Sequence, residues 1–414
     1  MAEIKVPFHR AAITKAEEDA VLDVLRSGWL TTGKYALEFE KKFSAAVSDT
    51  DKMKEARREA GLSTEEVISL AVNSNTSGMI LAMEACGVRE GTAVITTPYT
   101  FVSTATCARH LNADVYFADI EKDSYSIDPD KIEEILKKDT KHRVRAIVPV
   151  HIAGNVCDMR RIMALAQKYS TAENQIRVIE DAAHSFPSPT LLGYAGAVGD
   201  IGVFSFYVTK TITTAEGGMV CTRDPALARR MTVMRMHGMD RTTWDRYTSP
   251  RASWEYDIVA PGYKFNLPDL LAALGCCQID RAQLFYEQRK RIVEKYNKAF
   301  AGLDFIKLPP DGEGNSWHLY LMRLVPEKLN ITREEFAKKM QEAGLGISVH
   351  FIPIFHFTYW RQLYPDFTAQ NYPNAENQYN ATISIPLFPD MTDKQAQLVI
   401  DTVTKIGSEN RRNS

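Results

Sequence analysis

The chain reads as an α/β protein, with a mostly parallel central sheet covered by helices on both faces and a small α+β region at its C-terminal end. Three features predict this. Between residues 72 and 221, short apolar runs alternate with helical stretches, as strands and crossover helices do in parallel sheets. Two of those runs, Val178-Ile179 and Gly202-Val203-Phe204, lead directly into polar residues able to do chemistry. That is where open α/β sheets place their ligands, at the carboxyl ends of strands. Beyond residue 300, two capping boxes, Thr332-Arg333-Glu334-Glu335 and Thr392-Asp393-Lys394-Gln395, open helices that follow or precede strand-like runs. The expected division is a large domain over 1–268 and, over 269–414, a linking helix with the small domain.

The elements follow in order. Residues 16–27 form an amphipathic helix with Val21, Val24 and Leu25 on one face and Gly28 as its stop. Trp29-Leu30-Thr31-Thr32-Gly33 is turn-like, and 35–43 resumes helical spacing. A charged stretch within 48–72, DKMKEARREAG, favours helix and reads as a solvated surface decoration. Val72 then ends a strand, and Asn73-Ser74-Asn75-Thr76-Ser77-Gly78 leads into an apolar helix over 79–86. A strand, small polar residues and a helix start form an anion site, because free N–H groups and the helix dipole point at one spot. Plain helix capping by Ser74 or Asn75 is the alternative. Strands follow over 92–96, 115–117 and 146–150. Helices fill 128–137, with Pro129 after a capping Asp128, and 158–169. One long helix is expected over 268–300 and a strand over 317–324.

Composition narrows the class. The chain has 414 residues, 45% hydrophobic and 25% charged, with formal net charge −2, which is ordinary for a globular protein of two domains. Near-neutral charge gives no reason to expect nucleic-acid or bulk membrane binding. No apolar run reaches the ~18–20 residues of a membrane helix, and the first twenty residues hold no apolar core of signal-peptide type. Six cysteines lie scattered without a C-x-x-C pair, the usage of reduced thiols in a cytoplasmic protein and of neither a disulfide framework nor a metal site.

The chemistry concentrates in two places. Lys210 follows the strand Gly202–Phe206 and sits among Thr209, Thr211, Thr213 and Thr214, before Glu216-Gly217-Gly218 turns into a second apolar strand. An ammonium between apolar strands is costly unless it is paired or neutralised. Covalent attachment to the carbonyl of pyridoxal 5'-phosphate is one way to neutralise it. Asp181, 29 residues earlier, ends the run Val178-Ile179-Glu180-Asp181, where it can hold a pyridinium nitrogen in its protonated form. Taken singly, a surface lysine and an N-capping aspartate are the plain alternatives. Together, each at its own strand end, the two point to the cofactor.

With SGWLTTG near the N-terminus, the runs VIEDAAH, GDIGVFSFYVTK and TTAEGGM resemble the DegT/DnrJ/EryC1/StrS family from about Pro7 to Ile406. Its members are pyridoxal-phosphate-dependent nucleotide-sugar aminotransferases of fold type I, the aspartate-aminotransferase-like fold. The resemblance implies that Lys210 carries the cofactor and moves the proton, and that Asp181 faces its ring nitrogen. It implies phosphate ligands at Thr76, Ser77 and Ser205, an aromatic against the ring at Phe101, and a ring neighbour at His184. Family members commonly carry Gly where this chain has Asn75, a residue that tolerates positive φ. Trp29, Thr31, Thr32 and His350 match the substrate side. The aromatic-rich segment from His237 through Trp244, Tyr247, Trp254 and Tyr256 to Asn266 matches one that crosses to a neighbouring subunit. There Asn266 reaches the second cofactor phosphate, so a homodimer with shared active sites is implied.

The implied partners are an amino-acid donor, by analogy glutamate, and a nucleotide-linked keto sugar. Relatives that have become sugar dehydratases replace the lysine, and this chain keeps it. A non-catalytic regulatory relative would have no need of Lys210, Asp181 and Ser205 together.

Overall fold

In the computed structural model, which describes residues 3–240 and 255–412, a seven-stranded sheet forms the centre. Its strands are β1 (Ile68–Val72), β2 (Ala93–Thr96), β3 (Asp114–Phe117), β4 (Val144–Ile147), β5 (Arg177–Asp181), β8 (Ile201–Ser205) and β9 (Gly218–Thr222). A small antiparallel hairpin, β6 (Pro189–Thr190) and β7 (Gly193–Tyr194), lies between β5 and β8 in sequence. The spatial order is β1-β9-β8-β5-β4-β2-β3. Pairing is parallel from β8 through β5, β4 and β2 to β3, and antiparallel only where β9 meets β1 and β8. The near-continuous apolar runs in these strands follow from that geometry, since a parallel sheet is buried on both faces. A second, three-stranded antiparallel sheet holds β10 (Ile306–Lys307), β11 (Tyr320–Leu324) and β12 (Thr382–Ile385).

Local signals placed the helices well. Lys15–Ser27 ends at Gly28 in the left-handed region, φ 72°, where glycine carries no Cβ penalty. Asp128 caps Pro129–Lys138 by accepting from the Asp130 N–H, and Thr332 and Thr392 form the expected capping boxes. The helix expected over 268–300 is instead two, Asp269–Asp280 and Ala282–Phe300. At Arg281 the backbone turns to φ −106°, and the side chain bonds Ala12 O at 3.2 Å and Glu17 Oε1 at 2.9 Å. Neither proline nor glycine marks the break in the sequence; what accompanies it is this distant tertiary contact.

The charged stretch over 51–59 is a helix, Asp51–Glu59, but not a solvated decoration. Met53, Ala56 and Arg57 are buried, and Arg57 is 1% exposed. Its Nε donates to Ser63 O at 2.6 Å, and its Nη1 donates to Leu192 O at 2.8 Å and Ala197 O at 3.2 Å. The Asp49 carboxylate, its side chain fully buried, lies 3.6 Å from Arg57 Nε and 2.9 Å from Arg223 Nη2. The helix is thereby fastened to the segment carrying β6 and β7. Composition alone could not distinguish its one buried face.

Two large clusters of buried side chains hold the fold. One lies against the seven-stranded sheet, and the other gathers Val6, Tyr296, Phe300, Tyr320, Phe336, Leu345 and Val399 around the small sheet. A further aromatic group, Phe39, Phe43, Phe204 and Phe206, interlocks β8 with Lys34–Ala46, with the Phe43 and Phe204 centroids 4.8 Å apart. Among the described residues no helix is long and apolar enough to cross a membrane, and no cluster of potential metal ligands occurs.

Candidate active site

A cavity of about 390 Å³ opens at the carboxyl ends of β5 and β8, beside the β8–β9 turn. Asp181, His184, Ser205, Lys210, Thr76, Phe101 and His350 all line it. The sheet explains the convergence. β5 and β8 are parallel neighbours, so the residues that leave their carboxyl ends emerge side by side.

Asp181 is 4% exposed. Its Oδ2 accepts from Thr104 Oγ1 at 2.7 Å, and its Oδ1 accepts from Asn75 Nδ2 at 3.3 Å and the Ala183 N–H at 3.2 Å. Asn75 also donates to Val203 O at 2.9 Å. It is the first residue of the helix Asn75–Ala85 and does not have positive φ. Asparagine therefore stands here for its side-chain amide and not, as expected, for left-handed backbone. On the next residue back, Glu180 faces away from the cavity chemistry. Burial raises its carboxyl, but His151 at 2.9 Å and the N–H groups of Gly196 and Gly199 outweigh burial and hold it below the usual range. The His151 backbone N–H donates to the Asp181 backbone O at 3.1 Å, which ties the end of β5 to the segment after β4.

Lys210 has no acidic partner within ion-pair distance among the described residues. Burial lowers its amine to about 8, against the opposing pull of Asp181. The helix start forms the next wall. Ser74 caps it, accepting from the Ser77 N–H at 3.1 Å, and Ser74, Asn75 and Thr76 line the cavity. Gly218 lets β9 pass close to this turn: a Cβ there would lie 2.7 Å from Phe204 O and 2.8 Å from Asn75 N. Ser77 is buried and bonds Ser74 Oγ at 2.8 Å; it does not line the cavity.

Histidines and aromatics complete the enclosure. The Ala153 N–H donates to His184 Nδ1 at 3.1 Å, which leaves the ring proton of the neutral form on Nε2. Burial, then the charges of Lys210 and His350, hold His184 well below the usual histidine range. Burial and Lys210 push His350 down to about 4, and its Nδ1 is 2.8 Å from Ser384 Oγ. The His184 ring stacks on Phe351 at 5.6 Å and 18°. Phe101 is 58% exposed on the cavity wall.

Trp29, Thr31, Thr32 and Asn266 assemble elsewhere, outside this cavity's lining. Thr32 Oγ1 donates to Leu267 O at 2.7 Å and accepts from Asn266 Nδ2 at 2.6 Å. The Asp269 N–H donates to Thr31 O at 3.2 Å, and Trp29 Nε1 to Thr32 O at 3.2 Å. Of the expected crossing segment, Trp244, Tyr247 and Trp254 lie outside the described residues. Sequence reasoning missed Asn75's amide, Thr104, Tyr207, Glu216, His318 and Phe8, all at or behind the cavity wall. Asn75, Tyr207 and Glu216 stand inside runs already singled out, without these roles assigned to them; Thr104, His318 and Phe8 carry no local motif, and only the fold brings them to the site.

The donor set fits pyridoxal phosphate. An amine with a lowered pKa, a carboxylate without a cationic partner among the described residues, a helix N-terminus and an exposed aromatic face share a cavity of suitable size for a small cofactor.

The comparisons agree. The model of the DegT/DnrJ/EryC1/StrS aminotransferase family matches residues 11–404. Spore coat polysaccharide biosynthesis protein SpsC of Bacillus subtilis is 38% identical over 404 residues, 97% of each chain. An uncharacterized protein of Methanocaldococcus jannaschii is 35% identical over 98% of each. Among solved structures, the "Putative sugar aminotransferase Spr1654" of Streptococcus pneumoniae in its PMP-form superposes with TM-score 0.86 at 29% identity, covering 98% of this chain and 100% of that one. Its PLP-form gives 0.84. PseC of Helicobacter pylori, an aminotransferase involved in the biosynthesis of pseudoaminic acid, gives 0.80 at 26% identity, covering 98% and 99%.

Proposed function

The chain belongs to the DegT/DnrJ/EryC1/StrS family and is a pyridoxal-phosphate-dependent aminotransferase, and on that premise we propose that it aminates a nucleotide-linked keto sugar, with glutamate as the donor. A sugar acceptor is favoured by the names of Spr1654 and of SpsC. The observation that carries the catalytic reading is the meeting of Lys210 and Asp181 in one cavity, at the ends of two adjacent parallel strands.

When bound, pyridoxal phosphate supplies an aldehyde for the amino group and a ring that draws electrons from the bond being broken. Lys210 would hold its aldehyde carbon, Asp181 its ring nitrogen, and Thr76 and Ser205 its phosphate, beside the helix N-terminus; Ser77, behind the wall, supports that turn through Ser74. Phe101 and His184 would flank the ring. Lys210 acts as base and then acid at Nζ. A lysine lowered to about 8 is partly neutral near physiological pH, so it can take a proton and return it. Asp181 keeps its orientation through Thr104, Asn75 and the Ala183 N–H. His184, deprotonated on Nδ1 and protonated on Nε2, offers a hydrogen-bond donor and not a second base.

His350 belongs in this reading to the acceptor side of the cavity. Trp29, Thr31, Thr32 and Asn266 serve the active site of a second copy in a homodimer, which accounts for their clustering away from the cavity of their own chain.

The test is a visible absorbance spectrum of purified protein before and after glutamate, with Lys210→Ala alongside. Wild type is expected to bind the cofactor with a yellow colour and to lose that band with glutamate, and the variant to fail to complete the change. A yellow protein that glutamate leaves unchanged removes the donor assignment.

A further inference from the structure

One wall of the cavity comes from a segment that no motif marks. The Lys5 and Val6 N–H groups donate to Gly344 O at 2.9 and 3.2 Å, and the Gly346 N–H donates to Val6 O at 2.8 Å. Val6 therefore pairs with Leu345 in a parallel bridge. It is fully buried in the cluster around the small sheet. Two residues later, Phe8 packs against the cluster of the large sheet and lines the cavity. The strap thus spans both clusters and delivers one aromatic ring to the site.

That ring lies parallel to a neighbour. Phe8 and His350 have centroids 5.6 Å apart and planes 22° apart. His350 Nδ1 is held by Ser384 Oγ, and the ring meets Phe351 edge-on at 5.0 Å and 89°. The next residue of the strap, His9, is depressed to about 4 by burial, then by the charge of Arg289, with Lys210 adding to the effect. The strap therefore reaches the electrostatic surroundings of the reactive amine.

We propose that Phe8 binds the acceptor. The face turned away from His350 is the flat apolar platform for the ring of the keto sugar, and the stack on the opposite face fixes His350 at the same wall. This rests on the acceptor class proposed above. A sugar ring has a face of C–H groups that suits an aromatic face, whereas an amino-acid donor has no such ring. Phe8 therefore acts in the half-reaction that consumes the sugar and not in the one that consumes the donor.

The test uses holoenzyme of wild type, Phe8→Ala, Phe8→Leu and Phe8→Trp. Donor half-reactions are followed by rapid-mixing absorbance with glutamate, and acceptor KM is measured over a panel of nucleoside-diphosphate keto-hexoses. Phe8→Leu keeps apolar bulk without a flat face, and thermal melts exclude variants that fail to fold. Both Phe8→Ala and Phe8→Leu are expected to raise acceptor KM about tenfold, the worth of one aromatic contact. Phe8→Trp is expected to restore most of it, with the donor half-reaction within about twofold of wild type throughout. Equal losses in both half-reactions, or an unchanged acceptor KM in Phe8→Leu, overturn the proposal while leaving the aminotransferase reading intact. A wild type that aminates none of the panel overturns the sugar reading, and the role of Phe8 with it.

Discussion

Thr104 Oγ1 donates to Asp181 Oδ2 at 2.7 Å, joining the second residue of the helix Ser103–His110 to the carboxyl end of β5. Both residues are buried. A hydrogen bond to a charged group is worth roughly 1.5–3 kcal/mol. Thr104→Val keeps the shape and removes the donor. Its kcat/KM is expected to fall by about tenfold or more, while Thr104→Ser, which keeps the hydroxyl, stays near wild type. Steady-state kinetics on the two variants decides this.

Lys210 carries a stability cost in the cofactor-free protein. Its folded-state pKa is about 8 against an ordinary 10.5, so the unfolded chain binds the proton more tightly between those values. Stability of the apo-protein therefore rises with pH from about 8 upward and is lowest, for this group, below 8. Lys210→Met should be more stable than wild type at pH 7 by about 1–3 kcal/mol, and the gap should narrow by pH 9.5. Urea denaturation of both apo-proteins across that range measures it.

His9 and His350 titrate in the opposite part of the scale. Burial holds both near 4 against an ordinary 6.5. Each is neutral when folded and protonates on unfolding as pH falls below 6.5. The stability tied to their neutral forms is complete above that value and is lost between about 6.5 and 4. The urea midpoint should drop between pH 7 and pH 5, and His350→Gln should show a shallower drop than wild type.

Arg57 anchors the helix Asp51–Glu59 through three carbonyl oxygens and Asp49. Arg57→Met leaves those acceptors, and part of a buried carboxylate, without a partner. The expected loss is about 3 kcal/mol. Limited proteolysis should then cut first within 48–66, with the visible spectrum of the holoenzyme unchanged, because no residue of the helix lines the cavity.

Sequence alone carried the parts of this protein that are local or periodic. The capping residues Asp128, Thr332 and Thr392 identify helix starts because each satisfies N–H groups within its own next turn. The apolar runs of β5 and β8 identify buried parallel strands, and Asp181 and Lys210, the polar residues singled out at and after their ends, line one cavity. What depends on chain segments far apart in sequence stayed hidden. Arg57 looked solvated because nothing in DKMKEARREAG announces a buried face or the carbonyls of Leu192 and Ala197. The break at Arg281 coincides with contacts to Ala12 and Glu17, more than 250 residues away. Asn75, Thr104 and Phe8 join the site only because the sheet order and the N-terminal strap carry them there. Short-range hydrogen bonding and periodicity are written in neighbouring residues, whereas desolvation and convergent contact exist only once the chain has closed on itself.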